Sequence, residues 1–205
     1  METFLIETIR IRDGVPMLAE LHRRRMRKSC RELFGCNAPE LRLTAADIPP
    51  EYRNGIVKCR VTYGRDFVNL EFEHYTPKRV ASLRLVEAYE LDYHLKYADR
   101  SRLALLREFR GNADDVVIIK DGLVTDTSYS NLLIRQGNCL LTPSRPLLRG
   151  VMRRRLLDLG YVREAEIQPS MILPGNNTGV RELIMINAML PPGTIPPIST
   201  SAISW

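Results

Sequence analysis

The feature that most constrains the fold is the dipeptide Asp121-Gly122, which lies between two short apolar runs. Residues 115–120 precede it and residues 123–127 follow it, and an Asp-Gly pair in this position is typical of the tight turn of a β-hairpin. Two further short runs continue the pattern at residues 131–136 and 139–142. Alternating β pairs with few helices between them indicate a compact, mixed, barrel-like sheet in this part of the chain.

A lysine and an aspartate accompany this hairpin. Lys96 precedes it in the chain, and Asp126 lies near the end of its second strand. A lysine amine that has lost its proton can attack a carbonyl group, and a carboxylate in the same pocket suits a ligand with a basic nitrogen. For an isolated lysine a solvated charge is the commoner explanation, so this interpretation depends on the pattern of residues around the pair.

Residues 17–34 have the apolar periodicity of an amphipathic helix, and Gly35 is placed to end it. Arg25 lies in the middle of the apolar side. Because a buried charge without a partner is very unfavourable, Arg25 needs either an internal Asp or Glu or a bound anion. The cations on the other side of the helix are expected to be a solvated face: Arg23, Arg24, Arg27, Lys28 and Arg31.

A second hairpin is predicted at residues 55–63 and 67–75, where both runs alternate and Gly64-Arg65-Asp66 provides a turn. Lys58 and Arg60 share one face of its first strand. They are candidates for binding a substrate carboxylate, although exposed strand charges are the commoner explanation.

The segment 89–93 is the predicted domain boundary, because the N-terminal elements end before it and the Lys96 segment follows it. We therefore expect a small N-terminal α+β domain over residues 1–88 and a C-terminal domain over residues 89–205.

Composition limits the classes of function. The chain has 205 residues, is 44% hydrophobic and carries a net charge of +6, which suits an anionic small molecule but comes with no nucleic-acid motif. The four cysteines form no C-x-x-C pair, so neither a zinc site nor a disulfide framework is indicated. Residues 1–12 are too charged for a signal peptide and no run is long enough to span a membrane. The expected location is the cytoplasm, with no metal, membrane or nucleic acid as partner.

Ordered motifs along the chain resemble the class IV aminotransferase family. They are H-x-x-R-M-x-x-S from His22, K-x-x-x-R from Lys96, V-T-D-x-x-x-S-N-L-L from Val124, R-G-V-M-R from Arg149 and I-N-A-M from Ile186. The resemblance implies a two-domain fold type IV enzyme that uses pyridoxal 5'-phosphate, with a small N-terminal α/β sandwich and a C-terminal barrel-like sheet. Within the family the chain looks most like the 4-amino-4-deoxychorismate lyases.

The resemblance also implies roles for individual residues. Lys96 would hold the cofactor covalently and act as general base and acid. Asp126 would pair with the pyridine nitrogen, at a position where the family normally has glutamate. Arg25 would bind the cofactor phosphate. The remaining phosphate ligands would come from the backbone at Val151, Met152, Asn187 and Ala188.

The function implied is release of pyruvate from 4-amino-4-deoxychorismate to give 4-aminobenzoate, a folate precursor, by a homodimer. Two alternatives stay open: an aminotransferase of D- or branched-chain amino acids, and a catalytically inactive member of the family. Compared with the family, the chain begins about one hairpin late and has Leu5 or Ile6 where an aromatic residue is usual. We therefore expect the substrate pocket to differ.

Overall fold

The computed structural model of the chain describes residues 3–66 and 68–205. It is a mixed α and β structure, as predicted. The helices are α1 (Ala19–Phe34), α2 (Ser101–Glu108) and α3 (Val151–Asp158). The strands are β1 (Leu5–Arg12), β2 (Val15–Pro16), β3 (Ile56–Tyr63), β4 (Val68–His74), β5 (Leu83–Glu87), β6 (Asp115–Lys120), β7 (Leu123–Thr127), β8 (Asn131–Gln136), β9 (Cys139–Pro143), β10 (Arg163–Ala165), β11 (Val180–Ile186), β12 (Ile198–Ser199) and β13 (Ile203–Ser204).

Two compact units make up the chain. Unit 1 combines Met1–Thr76 with Leu95–Asp99, and unit 2 combines Pro77–His94 with Arg100–Trp205. This division differs from the sequence-predicted boundary between residues 88 and 89. The difference arises because the Lys96 segment pairs with the first strand of unit 1.

Unit 1 is an antiparallel sheet with strand order β2-β1-β3-β4, covered on one face by α1. Strand β3 alternates strictly between buried and half-buried residues, which is the pattern of a strand with one core face. Gly35 ends α1 with a φ of 65°, a conformation that glycine adopts without strain. Buried apolar side chains form the core of the unit: Leu5, Ile9, Ile11, Met26, Cys30, Leu41, Leu43, Ile48, Val57, Cys59, Val61, Tyr63 and Leu95.

The predicted helix and hairpin of unit 1 are both present. Helix α1 begins two residues later than predicted, and β3 and β4 form the hairpin. The predicted start of the second hairpin strand, Phe67, lies outside the described residues.

The segment Leu95–Asp99 pairs with the beginning of β1. Leu5 and Tyr97 form an antiparallel bridge, the Ile6 N–H donates to the Lys96 carbonyl at 2.8 Å, and the Ala98 N–H donates to the Phe4 carbonyl at 2.9 Å. Lys96 therefore lies directly opposite Ile6 in the ladder.

Unit 2 contains two sheets, with strand orders β10-β9-β8-β11-β12 and β13-β5-β6-β7. The hairpin that the sequence predicted around Asp121 joins β6 to β7, and Asp121 and Gly122 both have positive φ, as the turn requires. Strands β6, β8 and β11 carry unbroken buried runs, which is typical of strands that are covered on both faces.

Over the described residues, the structure contains no helix that is long and apolar enough to cross a membrane. The same residues contain no cluster of histidine, cysteine and acidic side chains that could hold a metal ion.

Candidate active site

In unit 1, His22 and the predicted phosphate ligand Arg25 both contact the buried carboxylate of Glu7. Glu7 is fully buried in β1, and its two carboxylate oxygens accept from Arg25, at 2.7 Å from Nε and 2.5 Å from Nη2. His22 is also fully buried, and its Nδ1 lies 2.6 Å from Glu7 Oε2. The two-pronged contact fixes the plane of the Arg25 guanidinium group.

Local sequence explains how this cluster forms. Glu7 alternates with Leu5 and Ile9, so it points to the core side of β1. His22 and Arg25 lie three residues apart, on the side of α1 that packs on this strand. The apolar positions of the two elements therefore place one acid and two basic side chains together inside unit 1.

The charges within the cluster are strongly coupled. Burial alone would raise the pKa of Glu7, but the Arg25 charge and the hydrogen bonds from Arg25 and His22 lower it to about 2. Burial lowers the pKa of His22, despite the hydrogen bond to Glu7. Neutral His22 then donates from Nδ1 to Glu7, and its Nε2 is buried without a hydrogen-bond partner among the described residues.

Arg25 therefore has the internal acidic partner that the sequence left open as one alternative. The partner, Glu7, is a residue that sequence reasoning missed. The available indication was an acidic residue at a core-facing position of an otherwise apolar run. A role of Arg25 in phosphate binding stays a prediction; the contacts to Glu7 are made by Nε and Nη2 of the guanidinium group.

Lys96 belongs to the same unit. The backbone of Lys96 is fixed by its pairing with Ile6, and its positive charge contributes to the low pKa of His22. The Lys96 charge is thus one of the influences that disfavour protonation of His22.

Lys58 and Arg60 lie on the other face of the unit 1 sheet. Each is paired with an acid directly across on β4, Lys58 with Glu73 and Arg60 with Glu71 at 3.9 Å. Their charges are therefore already partly balanced within the sheet.

Unit 2 contains the predicted carboxylate. Asp126 lies in β7 and is buried; its Oδ1 accepts from Asn131 Nδ2 at 2.8 Å, and its Oδ2 accepts from the Leu148 N–H at 2.9 Å. Burial raises its pKa to about 6, although both hydrogen bonds and the charge of Arg153 favour the carboxylate. Sequence reasoning did not assign Asn131, which also donates to the Leu148 carbonyl.

Gly150 precedes α3, where Val151 and Met152 are buried in the first turn. A Cβ atom at position 150 would lie 2.0 Å from Asn131 Oδ1. The absence of a side chain at Gly150 therefore makes room for the residue that holds Asp126.

Asn187 shapes the turn that follows β11. Its Oδ1 accepts from the N–H groups of Met189 and Leu190, and its Nδ2 donates to Ser130 Oγ at 3.0 Å. The hydrogen bond from Asn187 to Ser130 links the Asn187-Ala188 turn to the loop between Asp126 and Asn131. Within unit 2, Asp126 and Asn131 are thus hydrogen-bonded to Leu148 in the loop before α3, and the neighbouring Ser130 is hydrogen-bonded to Asn187.

Comparison with known proteins identifies the family. The sequence pattern of the amino-transferase class IV family matches residues 5–191. The chain belongs to the class IV aminotransferase family, and its fold is that of fold type IV enzymes, as the sequence predicted.

Individual relatives are similar over most of their length. An uncharacterised protein of Haemophilus influenzae is 34% identical over 187 residues, which cover 90% of this chain and 97% of the relative. A crystal structure from Haemophilus somnus 129PT, provisionally named a 4-amino-4-deoxychorismate lyase, is 30% identical with a TM-score of 0.82, covering 93% of this chain and 98% of that one.

A more distant neighbour carries a cofactor. A hypothetical aminotransferase of Mycobacterium tuberculosis, solved with pyridoxal phosphate (PLP) bound, is 18% identical with a TM-score of 0.76 and covers 98% of this chain and 81% of that one. At this identity the likeness concerns the fold.

Proposed function

We propose that the protein is a PLP-dependent lyase that converts 4-amino-4-deoxychorismate to 4-aminobenzoate and pyruvate. The observation that carries the proposal is the buried Asp126 carboxylate, which the Asn131 amide and the Leu148 N–H hold in a fixed orientation. The provisional name of the Haemophilus somnus relative supports the lyase reaction.

The available donors fit the cofactor by their chemistry. The Lys96 amine suits the aldehyde, the Arg25 guanidinium group suits the phosphate, and the Asp126 carboxylate suits a protonated pyridine nitrogen. The backbone N–H groups at Val151 and Met152, in the first turn of α3, are further candidates for the phosphate because such groups lack intrahelical partners.

Asp126 is suited to its proposed task by the two groups that hold it. The Asn131 amide and the Leu148 N–H both donate to the carboxylate, so its orientation is fixed before any ligand arrives. Burial raises the pKa of Asp126 to about 6. A positive charge placed beside the carboxylate would lower this pKa and favour the ionised form. Asp126 can then stabilise positive charge on a ring nitrogen with a side chain one methylene shorter than glutamate.

Lys96 is assigned the proton transfers. Bound PLP supplies an electron sink for the charge that deprotonation leaves on the substrate carbon. Lys96, as the neutral amine, removes the proton from the carbon that bears the substrate amino group. The bond between the ring carbon and the enolpyruvyl oxygen then breaks, and the proton held by Lys96 is returned to the methylene carbon of the leaving group, which departs as pyruvate. The ring that remains is 4-aminobenzoate, and aromatisation provides driving force. On the family resemblance we also propose a homodimer, which light scattering on the purified protein would test.

The test combines a spectrum with product analysis. Protein loaded with PLP is incubated with 4-amino-4-deoxychorismate, and 4-aminobenzoate and pyruvate are measured separately. We expect equal amounts of the two products, with Lys96→Ala abolishing both the products and the visible absorbance of the bound cofactor. Lys78→Ala removes an exposed lysine and should change neither.

Other outcomes would replace the proposal. Transfer of the amino group from D-alanine or a branched-chain amino acid to an oxo acid, without formation of 4-aminobenzoate, would identify an aminotransferase. Absence of cofactor absorbance in the wild-type protein would identify an inactive member of the family.

A further inference from the structure

The face of the unit 1 sheet opposite α1 is rich in cations. Arg10 and Arg12 of β1 point to this face, because they alternate along the strand with Ile9 and Ile11, whose side chains belong to the core. Lys58 lies directly across from Arg10 on β3, and Arg60 lies directly across from Thr8. Four positive side chains thus occupy two neighbouring strands.

Three of these four cations have an acidic neighbour. Lys58 pairs with Glu73 and Arg60 with Glu71, both on β4. Arg12 lies 3.8 Å from Asp13, and both side chains are largely exposed.

Arg10 differs from the other three. Among residues 3–66 and 68–205 it forms no ion pair, and its Nε is buried without a hydrogen-bond partner. Burial and the charge of Arg12 lower its pKa, while Tyr75 acts in the opposite direction. A partly buried guanidinium group next to other cations is a site at which an anion would be favourable.

Lys96 is placed on the same face by strand pairing. It lies opposite Ile6, and residues directly opposite each other in a ladder share a face. Ile6, Thr8 and Arg10 are alternate residues of β1, so Lys96 and Arg10 belong to one surface. The four residue steps from Ile6 to Arg10 span about 13 Å along the strand.

We propose that Arg10 binds a substrate carboxylate that is remote from the amino-bearing carbon on which Lys96 acts. The inference rests on the proposed function and specifies its substrate class. In an α-amino acid the amino group and the carboxylate share one carbon, whereas Lys96 and Arg10 extend from backbone positions about 13 Å apart along the strand. A six-membered ring with the amino group and the carboxylate on opposite carbons matches better.

The test measures equilibrium binding and needs no turnover. Calorimetry gives the dissociation constants of 4-aminobenzoate and of its uncharged methyl ester for the PLP-loaded wild-type protein and for Arg10→Gln. We expect the wild type to prefer the acid, and Arg10→Gln to weaken binding of the acid about tenfold or more while binding of the ester stays unchanged.

Arg12→Gln is the matched control. It removes a cation from the same face and the same strand, two residues further along, and should leave both dissociation constants as in the wild type. Arg10→Lys keeps the charge and should recover part of the preference for the acid. It also provides a folded variant if Arg10→Gln proves unstable.

Three results would overturn the assignment of Arg10. The first is a wild-type protein that binds 4-aminobenzoate no more tightly than its methyl ester. The second is an Arg10→Gln variant that binds 4-aminobenzoate as the wild type does. The third is an Arg10→Gln variant that loses the same factor in affinity for the acid and for the ester. Failure of the proposed function gives a different result, because it would appear as missing cofactor absorbance or missing 4-aminobenzoate in the wild-type assay. A protein that passes that assay while Arg10→Gln binds the acid normally would retain its function and lose only this assignment.

Discussion

At the scale of single residues, Glu7 determines what Arg25 can do. An acid at this position turns an arginine on the buried side of a helix into one half of a fixed pair. The pair is compatible with phosphate binding, since a guanidinium group presents donors on more than one edge. The two roles can be separated because only one of them depends on the phosphate group of the ligand.

Arg25→Ala should weaken binding of PLP by on the order of 1–3 kcal/mol, the scale of a hydrogen bond to a charged group. Binding of pyridoxal, which lacks the phosphate, should change little. Dissociation constants for both compounds, measured on folded protein, test this expectation. Arg24→Ala, on the exposed side of α1, serves as the control. If folded Arg25→Ala binds both compounds as the wild type does, Arg25 serves only its ion pair with Glu7.

Asp126→Asn should keep the cofactor bound but reduce turnover strongly, on the order of a hundredfold or more, because a neutral amide cannot stabilise a positive ring nitrogen. Asp126→Glu, which keeps the charge, should retain far more activity. Single-turnover rates with saturating substrate measure the chemical step. Unchanged rates in Asp126→Asn would show that the carboxylate has no electrostatic role in the reaction.

Sequence reasoning singled out the candidate site residues whose chemistry is distinctive and missed the residues that hold them. Lys96, Arg25 and Asp126 stand out because a reactive or buried charge needs a reason. Glu7 and Asn131 are ordinary residues until the fold places them against Arg25 and Asp126. Such partners are 18 and 5 residues away in the chain, and only the tertiary structure determines which polar groups meet.

At the scale of elements, Gly150 links helix α3 to strand β8. Its φ of −66° is allowed for any residue, so substitution there tests space and not backbone strain. The space is occupied by the Asn131 side chain.

Gly150→Ala should destabilise the protein by about 1–3 kcal/mol, because Asn131 must move and its bond to Asp126 must break. Urea unfolding gives the value. The control is a double-mutant cycle with Asn131→Ala, in which the added methyl group no longer meets the amide. If Gly150→Ala is as unfavourable in the Asn131→Ala background as in the wild type, the close approach to Asn131 is not the cause.

Elements with a local pattern were predictable. Helix α1, the hairpin of β3 and β4, and the hairpin of β6 and β7 all follow from periodicity and turn residues within a short stretch. The pairing of Leu95–Asp99 with β1 joins segments about ninety residues apart, and no local pattern specifies it. This explains why the predicted boundary at residues 88 and 89 differs from the division that the structure shows.

At the scale of the whole molecule, ionisation of Glu7 and of Asp126 should make the free energy of unfolding depend on pH in opposite directions. Glu7 has a pKa of about 2 in the folded state against an ordinary value of 4.5, so its stabilisation is complete above 4.5 and is lost as the pH falls towards 2. Asp126 has a raised pKa of about 6 against an ordinary 3.8, so stability increases as the pH falls from above 6 to 3.8. Each change amounts to about 3 kcal/mol.

Variants isolate the two contributions in urea unfolding without added cofactor. The advantage of the wild type over Glu7→Gln should shrink as the pH falls below about 4.5. The wild type should gain relative to Asp126→Asn as the pH falls from 7 to 4. Glu51→Gln removes an exposed acid outside these pairs and should leave the profile unchanged. A constant difference between wild type and Glu7→Gln across this range would contradict the low pKa of Glu7.

The pairing of Leu95–Asp99 with β1 also bears on the solubility of the chain during synthesis. The start of β1 is apolar and flat, and until the Lys96 segment has been made its backbone N–H and C=O groups are open to other chains. Only when the Ile6 and Ala98 N–H groups have found their carbonyl partners is the start of β1 closed to intermolecular pairing. The segment that carries Lys96 therefore covers a strand edge that could otherwise pair with another chain.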